Sequence, residues 1–295
     1  MSEGAIPSIG LIGLGNMGVP MTQRLIGAGY RVIGYDVSPE ARQRAVDAGA
    51  AVATSAAECA QAVEILILML PDSAVVTDVV GGLLDESSLR DGCVVVDMSS
   101  SEPSSTRALA EQLRAARIRM VDAPVSGGVK GAVGGTLTIM VGGDDNDVTE
   151  LTPIFETLGR PVRAGAIGAG HAVKALNNLL SATHLWITGE AIEAGRRFGL
   201  DTETMLAIFN GSSGRSGSTE NKWPNFVLPG TFDSGFGLRL MLKDMRIAVG
   251  IAEQNGLPSR LGACAVDLWD EAAEGMDPGA DHTEIARWIR DRTNE

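Results

Sequence analysis

A lysine and an asparagine stand four residues apart near the middle of this chain, inside a long apolar stretch that is typical of a helix. Lys174 and Asn178 belong to the segment that runs from Gly170 through Asn178. Their spacing puts both side chains on one helical face. A lysine in such apolar surroundings is costly unless chemistry or a partner holds it there. This pair is therefore the first candidate for an active site.

A glycine-rich turn near the N-terminus is the second candidate. It follows an apolar run at 9–12 that predicts a strand, and it precedes apolar residues at helical spacing. A GxGxxG turn between a strand and a helix is typical of dinucleotide binding, because the glycines allow a tight turn, close approach of a pyrophosphate and close packing of helix on strand. The turn places six residues in the cofactor site: Gly13, Leu14, Gly15, Asn16, Met17 and Gly18.

An acidic residue ends the second predicted strand, at 30–35. Asp36 lies eighteen residues after Gly18. A carboxylate at this point can accept hydrogen bonds from both ribose hydroxyls of NAD and would repel the extra phosphate of NADP. The three residues after Asp36 include no arginine that would neutralise such a phosphate. We therefore expect NAD as the cofactor, with NADP less favoured.

Short apolar runs alternate with amphipathic segments from residue 8 to about 163. This alternation predicts an α/β fold with a doubly wound, Rossmann-type sheet. Small residues at 164–170 interrupt the pattern, and beyond them only helices are predicted, beginning with a long one over 171–198 that Gly199 ends. We expect an NAD-binding Rossmann domain over 1–163 and an all-α substrate and oligomerisation domain over 164–295, with a long interdomain helix.

Further candidates lie where predicted strands end, since ligands of an open parallel sheet bind outside the carboxyl ends of its strands. Ser126, Gly127 and Gly128 offer a hydroxyl and backbone N–H groups that suit a substrate carboxylate. Taken alone, this segment is more typical of a plain turn. Three more residues at strand ends are expected beside the cofactor: Leu70, Pro71 and Ser100.

Charge and composition limit the classes of partner. The formal net charge of -13 argues against nucleic acid or an anionic membrane surface as a general partner. No segment has eighteen uninterrupted apolar residues, and the N-terminus lacks a basic region followed by an apolar core. The three cysteines and three histidines show no metal-ligand spacing. We expect a cytoplasmic protein with a metal-free site.

Together these motifs resemble the beta-hydroxyacid dehydrogenase family over essentially the whole chain. Four segments carry the resemblance, in the family's order: 10–18, 122–128, 170–178 and 236–244. The resemblance implies a Rossmann domain, a helical domain that often forms homodimers or homotetramers, and a small carboxylate substrate in a cleft between the domains.

The resemblance also implies roles for single residues. Lys174 becomes the catalytic residue, and Lys243 lies by the cofactor and the active site. A Lys-Asp pair such as Lys243-Asp244 is, on its own, equally compatible with a solvated helix face. The expected substrate-binding residues are Ser126, Gly127, Gly128 and Asn178.

The chemistry of the lysine agrees with this resemblance. Reduction of an aldehyde by hydride leaves an alkoxide, and a positioned ammonium can stabilise that charge and donate the proton. Asn177 and Ser181 stand where decarboxylating 6-phosphogluconate enzymes have a histidine and an acid. The residues therefore favour plain reversible alcohol oxidation over decarboxylation.

We expect NAD-dependent interconversion of a small 3-hydroxy acid and its semialdehyde. The loop at 212–215 resembles that of 3-hydroxyisobutyrate dehydrogenases, which makes 3-hydroxyisobutyrate the leading substrate. Tartronate semialdehyde, succinic semialdehyde, glyoxylate and L-threonate-type sugar acids fit the same pattern. The non-enzyme alternative is a non-catalytic dinucleotide-binding module, which would have no need for Lys174, Asn178 and Ser126 together.

Overall fold

The computed structural model describes residues 7–292. The chain divides into two compact units, and the division falls between Lys174 and Ala175. The first unit is built of strands and helices, whereas the second contains helices. The predicted domain boundary, between 163 and 164, lies within the last strand, Gly159–Gly165, and stays a prediction.

The described residues of the first unit form one sheet of nine strands. The strands are β1 (Ser8–Ile12), β2 (Arg31–Tyr35), β3 (Ala51–Val52), β4 (Ile65–Leu68), β5 (Val94–Asp97), β6 (Arg119–Asp122), β7 (Val125–Ser126), β8 (Leu137–Gly142) and β9 (Gly159–Gly165). Their order is β3-β2-β1-β4-β5-β6-β8-β7, and β9 pairs with β8. The first six strands in this order are parallel, and β8 is antiparallel to β6 and β7.

Seven helices lie between these strands, and an eighth follows the sheet. They are α1 (Gly18–Gly27), α2 (Pro39–Asp47), α3 (Ala56–Gln61), α4 (Ser73–Asp85), α5 (Pro103–Ala115), α6 (Gly128–Gly134), α7 (Asp145–Leu158) and α8 (Ala169–Phe198). β4 and β5 are buried along their whole length, as parallel strands covered on both faces must be. Their apolar runs are therefore continuous, and the predicted doubly wound α/β fold is confirmed.

Four short or exposed elements of the first unit do not follow from the sequence pattern: β3, β7, α6 and β9. β9 has the sequence GRPVRAG, and none of its residues is fully buried. β9 does not need alternating apolar residues, because its hydrogen-bonded pairing with β8 holds it in the sheet without a buried face. Pro161 is tolerated there since β9 is an edge strand.

The described part of the second unit is helical, as predicted. After α8 follow α9 (Thr202–Asn210), a π-helix (Ser218–Val227), α10 (Leu238–Gln254), α11 (Arg260–Gly275), a 3-10 turn (His282–Glu284) and α12 (Ile285–Arg292). Their apolar faces meet around the fully buried Trp269. Gly199, at φ +97°, ends α8 as predicted. Within residues 7–292, no helix is long and apolar enough to cross a membrane.

Candidate active site

The glycine turn after β1 uses its three glycines in two different ways. A Cβ on Gly13 would lie 2.2 Å from the Met69 carbonyl oxygen, and one on Gly18 would lie 1.9 Å from the Gly13 carbonyl oxygen. These two positions therefore admit only glycine. Gly15 is exposed, and no described atom lies within 4 Å of a Cβ built there. The turn is thus packed at its ends and open in its middle, which fits a pyrophosphate close to the backbone.

The start of α1 is open in the same way. Its first turn contains no acidic residue and no side-chain cap among the described residues. Unsatisfied N–H groups at such a helix start attract a phosphate group. The side chain of Leu14 is buried, so only its backbone is available at the turn, whereas Asn16 is exposed.

Asp36 braces the glycine turn from the end of β2. The Leu14 N–H donates to Asp36 Oδ2 at 2.7 Å, and the Ser38 N–H donates to Asp36 Oδ1 at 2.8 Å. Each carboxylate oxygen can accept a further hydrogen bond, so a ribose hydroxyl can still be bound. The sequence pattern indicates only the ribose contact. The bracing of the turn depends on a tertiary contact across 22 residues.

The ends of β4 and β5 are tied to each other. The Leu70 N–H donates to Ser99 Oγ at 2.9 Å. The buried Asp97 carboxylate accepts the Ser99 N–H at 2.9 Å and the Ser101 hydroxyl at 2.7 Å. Ser100 is half-buried between these two serines, and Pro71 is exposed next to Leu70. The predicted cofactor residues of these two strands therefore share one edge of the sheet.

The segment Ser126-Gly127-Gly128 leaves the sheet through a sharp bend. Ser126 pairs with Thr138 of β8 and is half-buried. Gly127 and Gly128 have φ angles of +129° and +61°, which side chains rarely adopt. The bend directs the chain from the sheet into α6, and Gly127 is exposed at this point. Its role toward a substrate stays a prediction.

The first turn of α8 is fastened to the end of β6. The buried Asp122 carboxylate accepts the Gly168 N–H at 2.7 Å and the His171 N–H at 2.9 Å. A Cβ on Gly170 would lie 2.1 Å from the Met140 carbonyl oxygen, so the helix and the sheet approach as closely as backbones allow. Asp122 and His171 are site-forming residues that the sequence pattern does not single out. An acid at a strand end and a small residue near the lysine are the only signals.

Lys174 lies one helical turn beyond this attachment and is 7% exposed. The lysine is therefore buried, as its apolar surroundings indicate. Because Asp122 and Gly170 fix the backbone just before it, the point from which its side chain extends is fixed as well. Its catalytic role stays a prediction.

In the second unit, a buried carboxylate joins two of the predicted residues. Asn178 Nδ2 donates to Asp244 Oδ2 at 2.6 Å. Lys243 Nζ lies 3.1 Å from Asp244 Oδ1, and the Asp244 side chain is 1% exposed. This contact turns the Asn178 amide nitrogen toward Asp244 and leaves its oxygen as the acceptor. The Lys-Asp pair is thus partly buried rather than on a solvated face.

The structure brings the predicted residues into two groups. In the first unit, most of the predicted cofactor residues follow the parallel strands β1, β2, β4 and β5, and Asp122 holds the start of α8 at the end of the neighbouring strand β6. Ser126 to Gly128 lie apart from these, at the end of β7 in the antiparallel part of the sheet. In the second unit, Asn178 and Lys243 meet at Asp244. Over residues 7–292 there is no cluster of three or more histidine, cysteine, aspartate or glutamate side chains that could hold a metal ion.

Two protein-family models together match most of the chain. Residues 8–176 match the NAD binding domain of 6-phosphogluconate dehydrogenase. Residues 168–289 match the model described as NAD-binding of NADP-dependent 3-hydroxyisobutyrate dehydrogenase.

Individual relatives cover nearly the same span. The 2-(hydroxymethyl)glutarate dehydrogenase of Eubacterium barkeri is 38% identical over 89% of this chain and 88% of its own length. The NAD-dependent L-serine dehydrogenase of Pseudomonas aeruginosa is 37% identical over 88% of this chain and 90% of its own length. The structure of Mycobacterium tuberculosis 3-hydroxyisobutyrate dehydrogenase with L-serine is similar at a TM-score of 0.90, with 30% identity, 97% coverage of this chain and 99% of that one.

Proposed function

We propose that this chain, which belongs to the beta-hydroxyacid dehydrogenase family, oxidises a small 3-hydroxy acid to its semialdehyde with NAD, with Lys174 as general acid and base. Membership makes the chain an NAD(P)-dependent oxidoreductase that acts on a CH–OH group. The observation that carries the finer proposal is the burial of Lys174 on a helix start that Asp122 fastens to the sheet.

The proposed chemistry needs one mobile proton. A bound nicotinamide would supply the acceptor for the hydride of the CH–OH carbon. In the oxidation direction, Lys174 Nζ accepts the hydroxyl proton as the carbonyl forms. In the reduction direction, its ammonium stabilises the growing negative charge on oxygen and returns the proton. Burial of the lysine residue, which is 7% exposed, limits competition from water for this proton.

We propose that four residues bind the substrate: Ser126, Gly127, Gly128 and Asn178. The bend at Ser126 to Gly128, where Gly127 is exposed, contains backbone N–H groups and a hydroxyl of the kind that suits a carboxylate. Asn178 is held by Asp244, so its amide cannot rotate freely and its oxygen is oriented to accept a hydrogen bond from a substrate hydroxyl. Lys243, held by the same carboxylate, is proposed to lie by the cofactor and the reacting groups.

The names of the relatives suggest the substrate class. 3-Hydroxyisobutyrate, 2-(hydroxymethyl)glutarate and L-serine are all 3-hydroxypropanoates that differ only in the substituent on carbon 2. We propose that this chain recognises the same carboxylate and primary alcohol, with 3-hydroxyisobutyrate as the leading substrate. Tartronate semialdehyde, succinic semialdehyde, glyoxylate and L-threonate are the alternatives to be compared.

NAD is proposed over NADP because of Asp36. Its two oxygens border the place where the adenosine ribose is expected, and a carboxylate there would repel a 2′-phosphate. Proteins of both cofactor types are matched, so this preference depends on the residue itself.

A homodimer or homotetramer is the proposed assembly. The second unit carries large apolar side chains on its surface, among them Leu180 at 60% and Leu261 at 70% exposure. Apolar side chains of this size on one unit favour burial against another copy.

The test is a substrate panel with the full-length protein. Each 3-hydroxy acid or semialdehyde is mixed with NAD or NADP, and cofactor reduction or oxidation is followed by absorbance. We expect turnover of a 3-hydroxypropanoate with NAD and at least tenfold weaker use of NADP. An unreactive protein that still quenches or enhances NADH fluorescence would indicate the non-catalytic module instead.

The matched variants are Lys174→Met and Lys222→Met. General acid-base catalysis contributes about 100- to 10,000-fold, so Lys174→Met should lose turnover by that factor while still binding NADH. Lys222 is a half-buried lysine of the π-helix without a proposed catalytic role, and its variant should keep turnover. Turnover of Lys174→Met at the wild-type rate would refute the role of the lysine.

A further inference from the structure

We propose that His171 is a positioning residue for Lys174: its imidazole fastens the first turn of α8 to the end of β5 and to α5, and thereby fixes where the lysine side chain begins. The inference rests on the proposed catalytic role of Lys174 and extends it to a residue that touches neither substrate nor cofactor.

The imidazole of His171 is fully enclosed, with 0% side-chain exposure. Nε2 lies 3.1 Å from the Ser99 carbonyl oxygen, and Nδ1 lies 2.8 Å from the Thr106 hydroxyl oxygen. A carbonyl oxygen only accepts hydrogen bonds, so Nε2 carries a proton. Both ring nitrogens are thus engaged, one by the loop after β5 and one by α5.

These side-chain contacts add to a backbone attachment. The His171 N–H donates to Asp122 at the end of β6, and Gly170 leaves no space between the helix and the Met140 carbonyl. A single helical turn is therefore fastened to the loop after β5, α5, β6 and β8. Such redundancy exceeds what an ordinary helix start needs, where one capping side chain is usual.

Two buried carboxylates face the ring. Asp97 Oδ2 lies 3.7 Å from Nε2, and Asp122 Oδ2 lies 3.9 Å from Nδ1. Both carboxylates have other donors, from Ser99 and Ser101 for Asp97 and from two backbone N–H groups for Asp122. Removal of the ring therefore leaves both acids hydrogen-bonded, and its main loss is the link between α8, Ser99 and Thr106.

This link matters because Lys174 follows His171 by three residues. At about 1.5 Å of rise per residue, the two Cα atoms are separated by about 4.5 Å along the helix axis. Proton transfer requires donor and acceptor within about 2.6 to 3.2 Å, and a displacement of about 1 Å can lower turnover about 100-fold. A small shift of the first turn is therefore enough to impair the lysine.

The alternative is that His171 only fills the core. The two possibilities differ in what a substitution changes. A filling role predicts a loss of thermal stability at unchanged turnover. A positioning role predicts a lower kcat, measured well below the unfolding temperature, with KM and the dissociation constant of NADH almost unchanged.

The experiment compares substitutions on and off the link, with 3-hydroxyisobutyrate and L-serine as probes and NAD as cofactor. We expect His171→Leu to lower kcat by about tenfold or more, and His171→Gln, whose amide can still donate and accept, to recover part of it. Thr106→Val removes only the hydroxyl and should act in the same direction but more weakly. His184→Leu, at an exposed position of the same helix, should leave kcat unchanged.

A matched control exists for the threonine. The Thr106 and Thr149 hydroxyl oxygens both lie within hydrogen-bond distance of the backbone carbonyl four residues earlier, but only the Thr106 hydroxyl also lies within hydrogen-bond distance of a histidine. Thr149→Val should therefore leave kcat unchanged. An equal loss in both valine variants would contradict the link.

A second measurement needs no substrate. In protein labelled with ¹⁵N-histidine, the three histidines can be assigned by substitution, and the His171 ring should show a protonated Nε2. An unprotonated Nε2 would refute the contact. Wild-type kcat in both His171→Leu and Thr106→Val would overturn this inference alone, whereas an inactive wild-type protein would overturn the proposed function as well.

Discussion

Two buried histidines, one in each unit, show how differently the same side chain can serve a helix start. His171 lies in the first turn of α8, and His282 begins the 3-10 turn before α12. Each is 1% exposed. Both ring nitrogens of His171 have partners, whereas His282 uses only Nδ1, which lies 3.0 Å from the Phe236 carbonyl oxygen.

The unpartnered nitrogen has a clear electrostatic consequence. His282 Nε2 is buried without a hydrogen-bond partner among the described atoms. Burial, and then the nearby Lys222 ammonium, lower the pKa of His282 to about 4, although Asp281 acts in the opposite direction. His282 is therefore neutral at pH 7, with its proton on Nδ1. In His171 it is Nε2 that carries a proton, because that nitrogen faces a carbonyl oxygen.

A carboxylate beside a buried histidine therefore does not decide what the histidine does. Both rings have aspartates nearby. What differs is the set of elements that the ring joins. His171 connects α8 to the edge of the sheet where the cofactor residues lie, whereas His282 holds a loop of the second unit in place.

The strongest way to break the first arrangement is Gly170→Ala. The added Cβ would lie 2.1 Å from the Met140 carbonyl oxygen and 2.8 Å from Asp122 Oδ2, so the start of α8 must move away from the sheet. We expect a loss of about 3 kcal/mol in unfolding free energy and a large loss of turnover. Circular dichroism during urea unfolding and steady-state kinetics measure the two effects.

Gly250→Ala is the control, because Gly250 lies in α10 and a Cβ added there would meet no described atom within 4 Å. The unfolding free energy of that variant should rise by up to about 1 kcal/mol, since alanine has a higher helix propensity than glycine. Turnover and stability of Gly170→Ala equal to those of wild type would contradict the close packing of α8 on the sheet.

Acid should weaken the second unit through His282. Its pKa is lower in the folded state, about 4, than in the unfolded chain, so the unfolded state binds more protons between these values. The contribution of neutral His282 to the unfolding free energy is therefore fully present above the pKa of the unfolded chain, and it is lost as the pH falls toward the pKa of the folded state. Between pH 7 and pH 5 we expect a loss of about 2 kcal/mol from this residue.

Tryptophan fluorescence during urea unfolding is a selective readout, because all four tryptophans belong to the second unit: Trp186, Trp223, Trp269 and Trp288. His282→Gln should lack the pH-dependent part of the loss. The same pH dependence in wild type and variant would show that another group is responsible.

Asp281, the helix cap beside His282, makes more contacts than an ordinary helix cap does. The Asp281 carboxylate accepts the Thr283 N–H at 2.9 Å, the Gly235 N–H at 2.9 Å and the Ser234 hydroxyl at 2.8 Å. Asp281→Ala removes the cap and the hydrogen bonds to the loop at 234–236, so we expect the unfolding free energy to fall by about 2 kcal/mol. The same tryptophan fluorescence measures it.

The comparison variant is Asp201→Ala, which removes the exposed cap of α9. Asp201 accepts hydrogen bonds from the Thr204 N–H and hydroxyl and has no such contact with a distant loop among the described residues, so its loss should cost less than that of Asp281. Equal costs would mean that the contacts of Asp281 with the loop contribute little.

The strands β4 and β5 and the helix α8 could be predicted because their signals lie within short stretches of sequence. β4 reads ILIL and β5 reads VVVD, and such runs are recognisable because both faces of a parallel strand are buried. The sequence predicts a helix over 171–198 and α8 spans Ala169–Phe198, because its apolar spacing and Gly199 are local signals. β9 could not be predicted, since its pairing with β8 supplies what its own residues lack.

The sequence by itself determined the fold class, the glycine turn and a buried lysine, because glycine geometry and apolar spacing act over a few residues. Tertiary structure alone decided the partners of that lysine's helix and of Asn178. His171 meets Ser99 and Thr106 across 72 and 65 residues, and Asn178 meets Asp244 across 66. No periodicity connects positions so far apart; only the packing of strands and helices brings their hydrogen-bonding groups within 3.1 Å of one another.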